Sequence, residues 1–284
     1  MKLRTLLGDQ PVVRALKRGD LRSPGLDFDF ADVKVPNTAF KRVVRDLEFD
    51  LAELAIVTFL LARAHGKPLS LLPAVVSARF QHPFLVCNAE RRKLAPAGLA
   101  GRRVGLRSYS VTTAVWIQSV LADDFGVPLE RVKWVAFEEP HVAEYREPPS
   151  VARAPAGKDM VSMLLEGSLD AAIVGERPSD PRLVPVIPDP EAAAKAWHER
   201  TGAIQVNHML VVKDALVNER PGAADALMHL FSESKRAAGL PPPNALDMNP
   251  VGVEANRRNL EVAIDCVHRL GMIPRRFGVE ELLA

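Results

Sequence analysis

Short apolar runs alternate with longer amphipathic runs along most of the chain, and this alternation restricts the fold more than any other feature. The predicted strands are 25–33, 49–55, 69–76, 82–88, 103–107, 132–137, 169–175 and 208–213. The predicted helices are 39–47, 56–66, 112–126, 158–168, 221–239 and 253–271. Strands that alternate with helices predict an α/β fold with largely parallel sheets.

The composition is that of a globular protein. The chain has 284 residues, of which 48% are hydrophobic and 25% are charged. Its net charge of +2 argues against a dedicated nucleic-acid-binding protein, because neutralising phosphates requires a basic surplus. The longest apolar run, 54–62, is much shorter than the roughly 18 residues that span a bilayer, and "MKLRTLLGDQ" lacks a signal-peptide pattern. We therefore expect a cytoplasmic protein without a nucleic-acid or membrane partner.

The two cysteines predict no special chemistry. Cys87 and Cys266 lie in separate apolar runs, and neither belongs to a CxxC motif or a Cys/His metal spacing. Thiols in such runs are usually buried and act as small apolar groups. We expect two buried thiols and no metal site built from the protein alone.

A Pro-rich stretch at 138–155 interrupts the middle of the chain. It is either an extended loop or a linker between domains. Predicted helices and strands continue after it in the same alternating pattern, so we interpret it as a surface loop.

Hydroxyl groups are concentrated after Arg107, where a predicted strand gives way to a predicted helix. Ser110, Thr112 and Thr113 lie at the start of that helix. Ligands of parallel sheets bind beyond the carboxyl ends of the strands, where a helix N-terminus offers unpaired N–H groups. Arg107 adds a forked, charged donor that suits a carboxylate. Two interpretations remain open, a carboxylate-binding site or an ordinary helix N-cap, which favours Ser and Thr in any case.

Three further positions carry groups able to move a proton. Glu53 follows a strand-like run and either caps the next helix or faces a cleft. Arg79 and His82, three residues apart on an irregular stretch, suit binding of an acid and transfer of a proton. His208 stands at the entrance of a strand. For both histidines the alternative is a structural role, in which the ring satisfies a backbone carbonyl.

Six stretches together resemble the 4,5-dihydroxyphthalate decarboxylase family. The resemblance runs from about residue 20 to the C-terminus, with the stretches in the family's order. They are "FDLAELA", "ARFQHPFLVCN", "LAGRRVGLRSYSVTTAVWIQSVLADDFGV", "KDMVSMLLEGSLDAAIVGERPSD", "RTGAIQVNHMLVV" and "VEANRRNLE". The resemblance implies a fold similar to type 2 periplasmic binding proteins, with two α/β lobes and the ligand cleft between them. Lobe one would comprise 1–87 and 208–284, and lobe two 88–207.

The resemblance also implies an activity, the cofactor-independent decarboxylation of a hydroxylated aromatic carboxylic acid such as 4,5-dihydroxyphthalate. Such a lyase protonates the ring carbon that bears the carboxylate and releases carbon dioxide. His82 or His208 would donate the proton, and Glu53 would accept the phenol proton. The substrate would be bound by Arg79, Arg107, Ser110, Thr112 and Thr113.

Two other functions suit the same fold. One is a non-catalytic solute-binding protein for a small aromatic carboxylate, because a fold does not determine a function. The other is a different lyase, such as the chorismate-using enzymes of futalosine-type menaquinone synthesis. A small aromatic carboxylate is the expected partner, and the sequence leaves open whether the chain forms a homo-oligomer.

Overall fold

The computed structural model describes residues 2–284, which form two compact units. Unit 1 comprises the residues up to Arg79 together with Ile204–Ala284, and unit 2 comprises Phe80–Ala203. The sequence placed the two changes of unit at 87/88 and 207/208. Each unit contains one β-sheet with flanking helices, so the predicted α/β class is confirmed.

Strands and α-helices are interspersed up to β11, and only helices follow it. The strands are β1 (Lys2–Leu6), β2 (Asp27–Phe30), β3 (Leu51–Ala55), β4 (Leu69–Ala78), β5 (Leu85–Asn88), β6 (Arg103–Leu106), β7 (Lys133–Ala136), β8 (Ala152–Arg153), β9 (Ala171–Ile173), β10 (Leu183–Pro185) and β11 (Val206–Lys213). The α-helices are α1 (Arg14–Arg18), α2 (Phe40–Arg45), α3 (Ile56–Ala64), α4 (Thr112–Phe125), α5 (Met160–Glu166), α6 (Pro190–Thr201), α7 (Asp214–Glu219), α8 (Ala223–Ala237) and α9 (Val253–Arg269). Short 3₁₀ helices cover Pro11–Val13, Pro36–Ala39, His82–Phe84, Pro96–Gly98, Leu129–Arg131 and Glu280–Leu282.

The sheet of unit 1 has the strand order β2-β1-β3-β11-β4. β1 runs parallel to both of its neighbours, whereas β11 runs antiparallel to β3 and to β4. Buried side chains from this sheet, including those of Leu3, Leu72 and Leu210, pack with Leu230 and Phe231 of α8. Burying these side chains holds the helix against the sheet.

The sheet of unit 2 has the order β10-β5-β9-β6-β7-β8. β6 runs parallel to β9 and β7, and β7 runs parallel to β8. β5 runs antiparallel to both of its neighbours. Trp116 of α4 is fully buried, with its ring 5.9 Å from that of Trp197 in α6.

The expectation of largely parallel sheets is therefore wrong for part of each sheet. β5 and β11 are the first strands after the chain has changed unit. A crossover helix between two strands imposes the parallel direction. Between the point where the chain enters the new unit and the start of β5 or β11 there is no α-helix. Both sheets are consequently mixed.

Local sequence signals mark the termini of two helices, α4 and α6. α4 ends at Gly126, whose φ of 61° lies in the left-handed region that favours glycine. Asp189 caps α6 by accepting a 3.1 Å hydrogen bond from the Ala192 N–H, and Pro190 occupies the first turn. α6 was not among the predicted helices, although these signals identify it. β1 was also missed, because a run of only five residues gives little periodic pattern.

The Pro-rich stretch at 138–155 is a surface loop only in part. Glu139 and Arg146 are exposed, but His141, Val142 and Tyr145 are buried. The stretch also ends in the edge strand β8. The predicted surface loop is thus correct for exposed residues such as Glu139 and Arg146 and wrong for the three buried ones, because the stretch packs against its own unit.

Two smaller predictions concern the cysteines and membrane-spanning helices. Cys87 and Cys266 are both buried free thiols, as expected. Among residues 2–284 no helix combines the length and the apolar character that crossing a membrane requires.

Candidate functional site

The topology of unit 1 singles out the carboxyl ends of β1 and β3. From β1 the chain crosses through α1 to β2 on one side, and from β3 it crosses through α3 to β4 on the other side. In open α/β sheets, ligands bind beyond the strand ends where the winding changes direction in this way. The residues that reach this edge are therefore the first candidates for a site.

Glu53 lies near this edge, within β3, and its carboxylate is held at both oxygens. Oε2 accepts a 2.8 Å hydrogen bond from the backbone N–H of Gly8, and Oε1 lies 3.0 Å from Nδ1 of His208. Glu53 is 1% exposed. The interpretation of Glu53 as a helix cap is wrong, because α3 begins after Ala55 and no side chain caps it.

His208 completes a carboxylate–imidazole pair. It lies on β11, with its ring edge against Phe40 at a centroid distance of 5.0 Å. The Glu53 carboxylate favours the tautomer that carries the proton on Nδ1, so Nε2 keeps the lone pair in the neutral ring. About a fifth of the side chain, 22%, is exposed, whereas Glu53 is enclosed. The pair is thus arranged to accept or donate a proton at the imidazole.

A corresponding change of winding occurs in unit 2 between β6 and β9. From β6 the chain crosses to β7 through α4, and it returns through α5 to β9 on the other side of β6. Arg107 follows β6 directly, and its side chain is 34% exposed. Its Nε lies 4.0 Å from Oε2 of Glu138. The predicted cation is therefore at the ligand edge of the sheet, beside an acidic side chain.

The hydroxyl cluster forms the turn from β6 into α4. Ser110 and Thr112 are buried, and Thr113 is partly buried. The N-cap of α4 is Val111, and no side chain makes a capping hydrogen bond. The N-cap interpretation of these hydroxyl groups is therefore wrong.

Glu147 contacts the same turn and was not predicted. Its Oε1 accepts a 3.1 Å hydrogen bond from the Tyr109 N–H and lies 3.5 Å from Oγ of Ser108. Its Oε2 pairs with Arg153, whose guanidinium also donates to the carbonyl of Glu138 at 2.6 Å. The Glu147 side chain is 8% exposed. The carboxylate of Glu147 thus occupies a backbone donor in the turn from β6 into α4, which we predicted to bind a ligand.

Two tyrosines adjoin this carboxylate. Burial raises the pKa of Tyr109, and the nearby charge of Glu147 raises it further. Burial, Tyr109 and Glu147 raise the pKa of Tyr145 in the same direction. Both phenols therefore stay protonated at neutral pH and keep their donor hydrogens.

Arg79 and His82 are close in sequence but belong to different units. Arg79 follows β4 in unit 1, and its backbone N–H donates to the carbonyl of Gln205 at 3.2 Å. His82 is fully buried in unit 2, and neither ring nitrogen has a hydrogen-bond partner among residues 2–284. Burial, together with the charge of Arg200, lowers the pKa of His82 to about 4. Its ring is consequently neutral at pH 7.

The structure thus brings Glu53 and His208 into direct contact within unit 1. It gathers Arg107, Ser110, Thr112 and Thr113 along one turn of unit 2. No local pattern predicts the Gly8–Glu53 and Tyr109–Glu147 contacts, since the two partners in each are distant along the chain. Among residues 2–284 no cluster of three or more His, Cys, Asp or Glu side chains is arranged to hold a metal ion.

Comparison with known proteins gives relatives in sequence and in fold. The 4,5-dihydroxyphthalate decarboxylase of Comamonas testosteroni is 29% identical over 251 residues, which cover 84% of this chain and 76% of the relative. That of Pseudomonas putida is 28% identical over 211 residues, covering 70% of this chain and 81% of the relative. Over most of its length the chain is therefore similar to 4,5-dihydroxyphthalate decarboxylases.

The predicted family assignment is thereby confirmed, although no protein-family model matches the chain. The fold is also that of periplasmic binding proteins. The alkanesulfonate-binding protein SsuA of Xanthomonas axonopodis pv. citri superposes with a TM-score of 0.58 at 13% identity, covering 100% of this chain and 98% of SsuA. At such low identity the likeness shows the fold alone, and it confirms the predicted periplasmic-binding-protein-like class.

Proposed function

We propose that this protein is a carboxy-lyase that removes one carboxylate from a hydroxylated aromatic dicarboxylic acid of the 4,5-dihydroxyphthalate type. The contact between Glu53 and His208 carries the proposal within the structure. The names of both curated relatives support the reaction and the substrate class. Such a reaction needs a positioned proton carrier and no electron transfer.

In the proposed mechanism, Nε2 of His208 accepts the proton of a substrate hydroxyl group. The resulting imidazolium is stabilised by Glu53, and the phenolate pushes electron density into the ring. The imidazolium then gives its proton to the ring carbon that bears the carboxylate. The bond from that carbon to the carboxylate breaks, its electron pair returns to the ring, and carbon dioxide leaves. The phenolate of the product takes a proton from solvent, which balances the reaction.

Glu53 acts through His208 in this mechanism. The sequence suggested that Glu53 accepts the phenol proton directly, but the carboxylate is enclosed and both oxygens are already engaged. A buried carboxylate beside an imidazole favours the protonated ring. A positioned acid–base group of this kind accelerates a reaction by about 100- to 10,000-fold.

His208 is favoured over His82 as the proton carrier. His82 is a poor acceptor of a second proton at neutral pH, since its pKa is lowered to about 4, and its ring is fully buried. His208 is partly exposed and has a carboxylate partner. We therefore give His82 a structural role.

Recognition of the second carboxylate is assigned to unit 2. The guanidinium of Arg107 and the hydroxyl groups of Ser110, Thr112 and Thr113 are donors suited to a carboxylate that is retained in the product. Arg79 remains a second proposed cation for the substrate. Orienting both reactive groups of the substrate contributes to the rate in addition to the acid–base step.

A direct assay tests the function. The protein is mixed with 4,5-dihydroxyphthalate, and carbon dioxide and the aromatic product are measured. We expect one carbon dioxide for each 3,4-dihydroxybenzoate formed. Phthalate, which lacks the hydroxyl groups, is the control and should remain intact because no phenolate can form. A saturable thermal shift with 4,5-dihydroxyphthalate but no carbon dioxide would instead identify a solute-binding protein.

A further inference from the structure

The stretch before residue 20, which lies outside the family resemblance, supplies a backbone contact to the proposed acid–base pair. β1 ends at Leu6, and the chain then passes the buried carboxylate of Glu53 at Gly8. A Cβ at position 8 would lie 2.9 Å from Cγ of Pro36 and 3.3 Å from Oε2 of Glu53. The approach is therefore too close for a larger residue without displacing one of these groups.

Lys17 fixes the peptide that makes this contact. Its Nζ donates to the carbonyl of Gly8 at 2.9 Å and to that of Leu7 at 3.1 Å, from the one-turn helix α1. The side chain is only partly exposed. A cation that binds two successive carbonyls restrains the rotation of the peptides that carry them, and hence the direction of the neighbouring N–H groups.

We propose that Lys17 is a positioning residue for the Glu53–His208 pair, and that it acts through the Gly8 peptide. Lys17 holds the peptide, the Gly8 N–H holds Oε2 of Glu53, and Oε1 of Glu53 holds Nδ1 of His208. The kinetic part of this inference rests on the proposed function. The structural part, that Lys17 controls the position of the Glu53 carboxylate, does not.

The chain of contacts has a measurable consequence at His208. Removing Lys17 releases the Leu7 carbonyl, which belongs to the same peptide as the Gly8 N–H. The Gly8 N–H then no longer holds Oε2 of Glu53 in one position, so the contact between Oε1 and Nδ1 of His208 should loosen.

The test is an NMR measurement of the His208 imidazole in the full chain. The Nδ1 proton that is hydrogen-bonded to Glu53 gives a downfield resonance, and we expect Lys17→Met to weaken or remove it. Lys17→Arg, which keeps the charge and the donors, should restore most of the wild-type signal. The matched control is Arg18→Met, which removes one positive charge from an exposed position on the same helix and should leave the resonance unchanged.

A second variant covers the case in which Lys17→Met does not fold. Gly8→Ala inserts a methyl group close to Pro36 and Glu53 and should weaken the same His208 resonance. In turnover, Lys17→Met should lower kcat by about 10- to 100-fold with little change in KM, as expected for a misplaced reacting group.

The outcomes separate this inference from the proposed function. If wild-type protein releases no carbon dioxide but Lys17→Met weakens the His208 resonance, the function fails and the positioning role stands. If neither Lys17→Met nor Gly8→Ala changes this resonance beyond the Arg18→Met control, the inference is overturned, whatever the activity.

Discussion

Glu53 and His208, 155 residues apart in the chain, meet through a 3.0 Å contact between Oε1 and Nδ1. The register explains the contact, since Glu53 lies opposite Leu210 in the antiparallel pair of β3 and β11, and His208 lies two residues from Leu210 on the same face. Such diagonal neighbours are within reach of long side chains. Two strands that are distant along the chain, β3 and β11, thus contribute one residue each to an acid–base pair.

Glu53→Gln should abolish most of the turnover. An amide carries no charge to stabilise the imidazolium, and its NH₂ group must face either the Gly8 N–H or the His208 ring. We expect kcat to fall by roughly two to four orders of magnitude while circular dichroism shows a folded protein. The control is Glu219→Gln at an exposed position of α7, which should keep wild-type turnover. Wild-type turnover in Glu53→Gln would contradict the role.

His82 should make the fold sensitive to acid. Its pKa is lowered to about 4 from 6.5, so the unfolded chain binds the proton more readily than the folded chain in this window. Stability is therefore lost as the pH falls from 6.5 towards 4. Between pH 7 and 4.5 the loss due to this one group is about 2–3 kcal/mol.

Urea unfolding of wild type and His82→Gln at both pH values measures this contribution. Because other groups also titrate, the comparison is between the two losses rather than between absolute stabilities. The free energy of unfolding that is lost between pH 7 and 4.5 should be smaller in His82→Gln than in wild type by about 2–3 kcal/mol. Equal losses in the two proteins would show that His82 does not titrate as its burial requires.

Arg107→Ala should weaken the binding of an aromatic dicarboxylate. A charge-assisted hydrogen bond contributes about 1.5–3 kcal/mol, which corresponds to a rise in Kd of roughly 10- to 150-fold. Calorimetry with phthalate measures the change without turnover. Arg131→Ala, at an exposed position of the same unit, is the control and should bind as wild type does. An unchanged Kd in Arg107→Ala would exclude this guanidinium from the carboxylate site.

Glu147→Gln should destabilise the turn from β6 into α4. The carboxylate is nearly enclosed and is shared by the Tyr109 N–H and Arg153, so the amide loses charge-assisted bonds. We expect a loss of about 1–3 kcal/mol in urea unfolding. Glu139→Gln, in the exposed part of the same loop, should have little effect. Equal stabilities of the two variants would mean that Glu147 does not hold the loop to the turn.

Much of the fold follows from local signals in the sequence. The hydroxyl cluster and Gly126 mark the two ends of α4, and the apolar runs identify most strands of both sheets. The position of Arg107 at a strand end also follows, because parallel strands present their carboxyl ends at one edge. These features depend on residues that are neighbours in the chain.

The remaining features depend on partners that are distant in the chain. A carboxylate at position 53 looks like a helix cap until β11 places His208 beside it. The Pro-rich stretch looks like a surface loop until Glu147 is seen to bind the Tyr109 N–H, 38 residues earlier. The burial of His82 is likewise a result of packing, and no local pattern distinguishes it from an exposed histidine.

The most direct test of the account compares His208→Gln with His82→Gln in the release of carbon dioxide from 4,5-dihydroxyphthalate. Gln keeps a polar side chain of similar reach but carries no titratable proton. The account predicts that His208→Gln loses roughly two to four orders of magnitude in kcat, whereas His82→Gln stays within about tenfold of wild type. Wild-type turnover by His208→Gln, or the larger loss in His82→Gln, would contradict the assignment of the proton carrier to the Glu53–His208 pair.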